Sequence, residues 1–407
     1  MHSSRPTRTA LASSGRPLDL DPRGVATPDV TRGPRLHRRA ILSLGGGWRS
    51  DAAARWVFIW PTVVVILFLS IFPLVASLTL AFSELVFARG RIEVDFVGLQ
   101  NFQILLFGTE RTHLLGLLKP PTPLGWVIFG LGLAVILRSL VGSLTGGHVR
   151  LLGALLRIAG AVLAAGLLWL VVQTLFSEGG RPGSLVVTMI YVFAGIVVQF
   201  LLGLGLALLA VQPLAGRRFF RIVFMLPLTI TPIGVGYMFR MMTDTGKGPL
   251  EPVFGLLGMG QYTWVTDPWA ARIAVIIGDT WQWTPFVFIV LLAALEGLDQ
   301  EVREAAFVDG ASHRQSFWHI TVPAILPVST TIVLIRLIEG FKIVDMPNIL
   351  TGGGPGTATQ SLTLQAYLDW RTLNLGRSAA IAYILLFLVT VIATAYVAWW
   401  RRRIRPV

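Results

Sequence analysis

Four charged residues recur at every third position near the end of one long apolar stretch of this sequence. They are Arg336, Glu339, Lys342 and Asp345. Side chains three positions apart are neighbours on a helix, so the spacing predicts a connected ladder of charges. Ionisable groups inside a membrane are costly, and they face the protein interior or water. Two interpretations stay open: a polar lining near the outer mouth of a solute path, or an internally paired ladder that stiffens the helix.

A second polar group combines aromatic rings with an acid and an amide inside another apolar stretch. It consists of Asp279, Trp281, Gln282 and Trp283. Aromatic faces beside an amide can hold a sugar ring by CH–π contacts and hydrogen bonds. The alternative is a belt of aromatic side chains at a membrane interface. These residues and the charge ladder are therefore the candidates for a substrate path.

The sequence carries no pattern typical of catalysis or of cofactor binding. The histidines in the central part of the chain lack metal-ligand spacing, and no HExxH motif and no GxxxxGK[ST] phosphate loop occurs. The chain has no cysteine, which excludes disulfides, thiolate metal sites and cysteine nucleophiles. We expect no catalytic residue, no metal site, no bound cofactor and no enzymatic activity of the chain alone.

The composition places the candidate residues in a membrane protein. Of 407 residues, 54% are hydrophobic and only 14% are charged, whereas soluble domains are about 25% charged. A stretch of about 20 apolar residues can cross the hydrocarbon core of a bilayer. We expect an all-α, polytopic protein whose spans lie near 57–82, 124–141, 151–176, 185–211, 218–241, 271–296, 324–344 and 378–400.

The charge distribution predicts which side of the membrane each segment occupies. The net charge is +13, and arginines cluster at the ends of the spans rather than forming a nucleic-acid surface. With eight spans, both termini share one side, and that side carries more than twice as many basic residues as the other. Because basic residues stay in the cytoplasm, residues 1–55 are expected to form a disordered basic cytoplasmic tail. Residues 401–407 form a basic cytoplasmic C-terminus, and 297–323 a cytoplasmic loop.

That loop contains a motif with fixed spacing. Residues 304–327 follow the pattern EAA-x2-DGA-x5-F-x2-I-x2-P-x3-P, which sets ten positions. The motif comprises Glu304, Ala305, Ala306, Asp309, Gly310, Ala311, Phe317, Ile320, Pro323 and Pro327. It resembles the cytoplasmic coupling loop, or EAA loop, of permease subunits of binding-protein-dependent ATP-binding-cassette (ABC) importers.

A physical interpretation of this loop is a helix–turn–helix knob that docks on a soluble partner. Gly310 tolerates the positive φ of a sharp turn, and the alanines allow close approach of two short helices. Asp309 is expected to cap the second helix. Phe317 and Ile320 would offer an apolar anchor, and Pro323 and Pro327 would separate the second helix from the next span.

The resemblance extends beyond the loop to roughly 56–107 and 184–400. FVGLQNF (96–102), the segment 216–240 and the segment 340–380 are similar to the carbohydrate (sugar or polyol) type of these permeases. The resemblance implies a type I permease domain over 56–400, with six core spans. The hairpin 124–176 is then an addition, expected to pack at the periphery or to contact another membrane subunit.

The resemblance also implies partners and a location. They are a second homologous permease subunit, an ATPase dimer that uses ATP and Mg, an extracytoplasmic solute-binding protein and the lipid bilayer, without nucleic acid. The implied location is the cytoplasmic (inner) membrane of a bacterium or archaeon, with both termini cytoplasmic. A stand-alone secondary transporter or channel is the alternative function. A membrane-embedded enzyme is a third class, for which no clustered catalytic residues are evident.

Overall fold

The computed structural model describes residues 56, 59–88, 91–145, 151–213, 216–244, 246–256, 258 and 264–403. The basic tail expected over 1–55 and the final residues 404–407 lie outside this part of the chain. By their contacts, residues divide into two units, Met1–Leu74 and Val75–Val407. The first unit contributes the beginning of helix α1 (Ile59–Ala81), in which a π-turn at Leu67–Ile71 precedes Pro73.

The second unit is built from helices and two very small sheets. A two-stranded hairpin, β1 (Ser83–Ala88) with β2 (Arg91–Phe96), follows α1. Short strands β3 (Gly116–Leu117) and β4 (Arg181–Pro182) also pair. The helices are α2 (Gln100–Leu106), α3 (Arg111–Leu114), α4 (Pro123–Thr145), α5 (Leu151–Leu175), α6 (Ser184–Ala210), α7 (Arg217–Thr229), α8 (Pro232–Met242), α9 (Glu251–Leu256), α10 (Pro268–Glu296), α11 (Gln300–Val308), α12 (His313–Gly340), α13 (Asp345–Thr351), α14 (Leu362–Arg371) and α15 (Leu375–Arg403).

Seven helices in the described part are long and apolar enough to cross a membrane, and the broken pair α7–α8 brings the number to eight. The seven are α1, α4, α5, α6, α10, α12 and α15. Their positions confirm seven of the expected spans. The number eight holds only if α7 and α8 together count as one crossing.

The expected continuous span over 218–241 is wrong in its geometry, because α7 and α8 meet at an angle of 100°. Pro227 lies inside α7 and Pro232 begins α8, so two backbone donors are missing around the break. Gln282 of α10 faces this break, and its Nε2 lies 3.4 Å from the carbonyl oxygen of Ile230. A neighbouring helix thus supplies a donor to backbone that the break leaves free.

The core is formed where α6 and α10 lie against each other, with α12 beside both. Phe288, Leu291 and Ile332 are fully or almost fully buried in this contact. Gly203 of α6 allows the close approach, because a Cβ there would come within 2.7 Å of the Val287 side chain. Small residues at membrane helix contacts permit such packing. These three helices therefore form the rigid frame of the second unit.

The hairpin α4–α5 attaches to this frame through its second helix and its base. Leu170 of α5 belongs to the same apolar cluster as Val186 of α6 and Ile381 of α15. At the base, β3 pairs with β4, and Pro121 bridges to Ser177. Trp126, Phe129 and Trp169 pack together between the two hairpin helices.

Candidate functional site

The segment expected to dock on a partner begins with α11. The Asp299 side chain caps this helix by accepting a hydrogen bond from the backbone N–H of Glu301 at 2.9 Å. Glu304 accepts a hydrogen bond from Gln300 Nε2 at 2.7 Å. Glu304 and Ala305 are exposed, and Ala306 is half-buried. The first three positions of the motif therefore lie on an accessible, capped helix.

The turn after α11 has the positive φ expected at Gly310, which is +84°. The backbone N–H groups of Asp309 and Ala311 donate to the carbonyls of Ala305 and Ala306, each at 2.9 Å. Side chains other than glycine rarely adopt this φ. Gly310 thus closes the end of α11 and reverses the chain.

The cap of the second helix differs from the expectation. Asp309 lies at the end of α11, so it is not the residue that caps the second helix. Ser312 fills that position: its Oγ accepts from the backbone of Gln315, and the Gln315 side chain accepts from the backbone of Ser312. This reciprocal capping box satisfies two donors that the helix start would otherwise leave unpaired.

The second helix does not end before the next span. Helix α12 runs without interruption from His313 to Gly340. The span expected near 324–344 is confirmed but begins further upstream, and the expected separation by Pro323 and Pro327 is wrong. A π-turn over Phe317–Thr321 precedes Pro323 and accommodates its missing N–H. The capped start of the segment and the membrane span are one rigid element.

The knob exposes apolar side chains around the turn. Val308 is 88% exposed and Trp318 is 57% exposed. Phe307 and His313 make an edge-to-face contact with ring centroids 5.0 Å apart, which joins the two helices. Phe317 and Ile320 are half-buried. Exposed apolar groups rimmed by polar ones are typical of a protein-binding surface. Val308 and Trp318 belong to this surface, although neither is a fixed position of the motif.

The polar residues within the membrane helices come together in one buried cluster. Arg336 of α12 donates to Asp279 of α10 at 3.1 Å and to Gln199 of α6 at 2.8 Å. Gln199 also donates to the Asp279 carboxylate at 2.8 Å. Asp279 is 8% exposed and Arg336 is 2% exposed. The charge pair and its shared amide therefore connect the three helices of the frame.

Of the aromatic members of the second candidate group, Trp283 lies against this cluster and Trp281 packs against another helix. The Arg336 guanidinium lies over the Trp283 ring, 4.3 Å from its centroid. Trp281 packs edge-to-face on Phe239 of α8, with centroids 5.7 Å apart. Gln282 is buried and faces the α7–α8 break. Asp279, Gln282 and Arg336 are all buried in this conformation, and the role of these residues in a solute path stays a prediction.

The expected ladder of four charges is divided between two helices. Because α12 ends at Gly340, Lys342 and Asp345 lie beyond it, so they do not continue a ladder on one helix. Glu339 and Lys342 form an ion pair of 2.7 Å at a more exposed position. Asp345 begins α13, where partial burial raises the pKa of its carboxyl above the ordinary value. Arg336 is the member that reaches into the frame.

Metal binding finds no support in the described part of the chain, where no three His, Asp or Glu side chains come together. The two constellations that the fold positions are instead the exposed knob 300–320 and the buried Gln199–Asp279–Arg336 cluster. Both include residues of α12, and about 35 Å of helix separates His313 from Arg336.

The fold defines a multi-pass helical membrane protein. The model of the family described as "Binding-protein-dependent transport system inner membrane component" matches residues 199–406. The chain belongs to this family. The matched range contains α10, α12, the whole knob and the part of α6 that begins at Gln199.

Individual relatives agree with this membership. The chain is 32% identical over 220 residues to the trehalose/maltose transport system permease protein MalF of Thermococcus litoralis, which covers 54% of this chain and 75% of that protein. It is 28% identical over 219 residues to the sn-glycerol-3-phosphate transport system permease protein UgpA of Agrobacterium fabrum, covering 53% and 74%. A bacterial ABC transporter involved in alginate import has a similar fold, with a TM-score of 0.60 at 17% identity over 90% of this chain and 100% of that one.

Proposed function

We propose that this chain is the transmembrane permease subunit of an ATP-driven ABC importer of a carbohydrate, meaning a sugar, oligosaccharide or polyol. Membership of a binding-protein-dependent transport family supports import over a stand-alone secondary transporter or channel. The trehalose/maltose permease and the alginate importer act on carbohydrates by their names, which supports that substrate class. The similarity to UgpA, which is named for sn-glycerol-3-phosphate transport, makes a polyol phosphate a further candidate solute.

The observation that carries the coupling role is the continuity of α12. Its capped start lies in the exposed knob, and its far half holds Arg336 in the buried cluster. A displacement of the knob by a partner must therefore move the same helix that binds α6 and α10. Packed helices transmit such displacements because interiors are densely packed.

The proposed assembly has two halves. This chain provides half of the translocation path, and a second homologous permease provides the other. An ATPase dimer docks on the knob and uses ATP and Mg, and an extracytoplasmic solute-binding protein delivers the solute. In this proposal the protein lies in the cytoplasmic (inner) membrane of a bacterium or archaeon, with both termini and the knob in the cytoplasm. The hairpin α4–α5 is proposed to remain at the periphery.

The proposal is tested by co-purification from cells that express the whole transporter. The intact chain should retain the ATPase subunit, and a Val308→Asp, Trp318→Asp double variant should lose it, because both changes place charge on exposed apolar positions of the knob. Leu99→Asp, Phe107→Asp is a matched control, since both residues are also exposed and lie outside the knob. Retention of the ATPase by the knob variant, or equal loss in the control, would contradict this docking site.

A further inference from the structure

Helix α7 begins with a basic end and continues as an apolar helix beside the last turns of α10. Three arginines, Arg217, Arg218 and Arg221, occupy its first turns, and large apolar side chains follow them. Phe219 and Ile222 are each about two-thirds exposed, at 64% and 65%. From its start to its end, α7 meets Glu296, Phe288 and Gln282 of α10 in turn, so the two helices run side by side in opposite directions. Arginines at the end of an apolar helix favour the level of the lipid headgroups.

A groove runs between α7 and the last turns of α10. Its volume is about 220 Å³. Arg221 and Glu296 form its charged end, and apolar side chains form the rest. The apolar lining includes Met225, Phe288, Leu292 and Ala293. Phe224 of α7 packs edge-to-face on Phe288, with centroids 5.7 Å apart, so the two helices hold the groove between them.

The charge at the mouth of the groove is positive. Arg221 donates to Glu296 at 2.5 Å and to the carbonyl of Ala210 at 2.9 Å, so it neutralises the one acid in the lining. The buried Nε of Arg221 has no hydrogen-bond partner among the described residues. Arg217 and Arg218 are exposed beside it. Two cationic side chains therefore remain available next to the apolar part of the groove.

We infer that this groove binds an anionic phospholipid. The phosphate lies against Arg217 and Arg218, and an acyl chain lies along Met225, Leu292 and Ala293. The groove combines cationic and apolar surface at the end of α10, immediately before the knob, where headgroups and acyl chains of one leaflet meet. The inference goes beyond the importer assignment, because it does not depend on which solute is carried.

Native mass spectrometry of the detergent-purified full chain, titrated with phosphatidylglycerol or phosphatidylcholine, tests the inference. We expect preferential retention of phosphatidylglycerol. The exposed-arginine variant Arg217→Gln, Arg218→Gln should bind it about 25-fold more weakly, at about fivefold for each basic residue near a lipid surface. The control variant Arg111→Gln, Arg181→Gln removes the same charge from two other exposed positions and should leave binding unchanged.

A second variant tests the apolar part of the groove. Ala293→Phe fills the apolar part of the groove while all three arginines remain, so it should weaken retention of phosphatidylglycerol. Inorganic phosphate in millimolar excess should not displace the lipid, because phosphate has no acyl chain to contact the apolar part of the groove. Equal binding by the arginine variant and its control, or displacement by phosphate, would overturn the inference. Loss of phosphatidylglycerol when the second permease assembles would also overturn it, because a protein would then cover the groove.

Discussion

Arg336 and Asp279 form an ion pair of 3.1 Å between two membrane helices, and Gln199 of a third helix bonds to both. Each charge has the other as its main compensation inside an apolar frame. Breaking a buried pair by removing one partner typically costs about 3–5 kcal/mol, because an uncompensated charge remains. The pair therefore makes the α6–α10–α12 frame sensitive to single substitutions.

Asp279→Asn or Arg336→Gln should each lower the stability of the purified chain by about 3–5 kcal/mol. The double variant should lose clearly less than the sum, because no unpaired charge remains. Thermal unfolding in detergent measures this. Lys342→Gln is the control: it removes the exposed ion pair with Glu339, and such pairs contribute at most about 1 kcal/mol. Additive effects of the two buried substitutions would contradict the coupling.

Gly310→Ala should reduce ATP-driven uptake by the assembled transporter. The φ of +84° at Gly310 costs a residue with a Cβ about 1–2 kcal/mol, which distorts the turn between α11 and α12. Gly142→Ala is the control, because a Cβ there meets open space and the residue lies inside a helix. Equal uptake by the Gly310 and Gly142 variants would show that the turn geometry is unimportant.

Ser312→Ala should loosen the start of α12 by about 1 kcal/mol. The change removes the hydroxyl that accepts from the backbone of Gln315. Hydrogen exchange at residues 313–316 should become faster, while exchange in α10 stays the same. Ser312→Asp retains an acceptor at this position and should restore protection. Unchanged exchange in Ser312→Ala would show that the cap does not hold this helix start.

Arg377→Lys should weaken the ion pairs that join the start of α15 to α14 and to the residue before α3. Arg377 binds both oxygens of Asp369, at 2.7 and 2.8 Å, and also Glu110 at 3.0 Å. A lysine keeps the charge but cannot form the two-bonded fork. We expect a loss of about 1 kcal/mol in thermal unfolding, because the site is partly exposed. Arg371→Lys, on the exposed end of α14, should be neutral.

Much of the fold is readable from the sequence because its signal is local. A long apolar stretch predicts a membrane helix whatever it packs against, and α6, α10 and α15 lie where expected. The motif likewise predicted the exposed knob and the positive φ at Gly310. Local composition and spacing are sufficient for these features.

The features that sequence reasoning missed depend on distant partners. Nothing in the local pattern around Gln199 indicates that it joins residues 80 and 137 positions away. The break between α7 and α8 is suggested by Pro227 and Pro232, yet prolines also occur inside unbroken α10 and α12. What marks the α7–α8 break is Gln282 of α10, which donates to the backbone at the break. This contact comes from a distant part of the sequence. The Ser312–Gln315 capping box was visible in the sequence and is the signal that would have placed the second helix correctly.

ATP-dependent uptake into proteoliposomes tests the central claim most directly. The full transporter, with its solute-binding protein outside, should accumulate a carbohydrate only when ATP and Mg reach the ATPase subunits. The chain alone should neither hydrolyse ATP nor transport. Replacing Val308 and Trp318 of the knob by Asp should abolish uptake while leaving binding of solute to the binding protein intact. Uptake by this chain without any ATPase subunit would contradict the account.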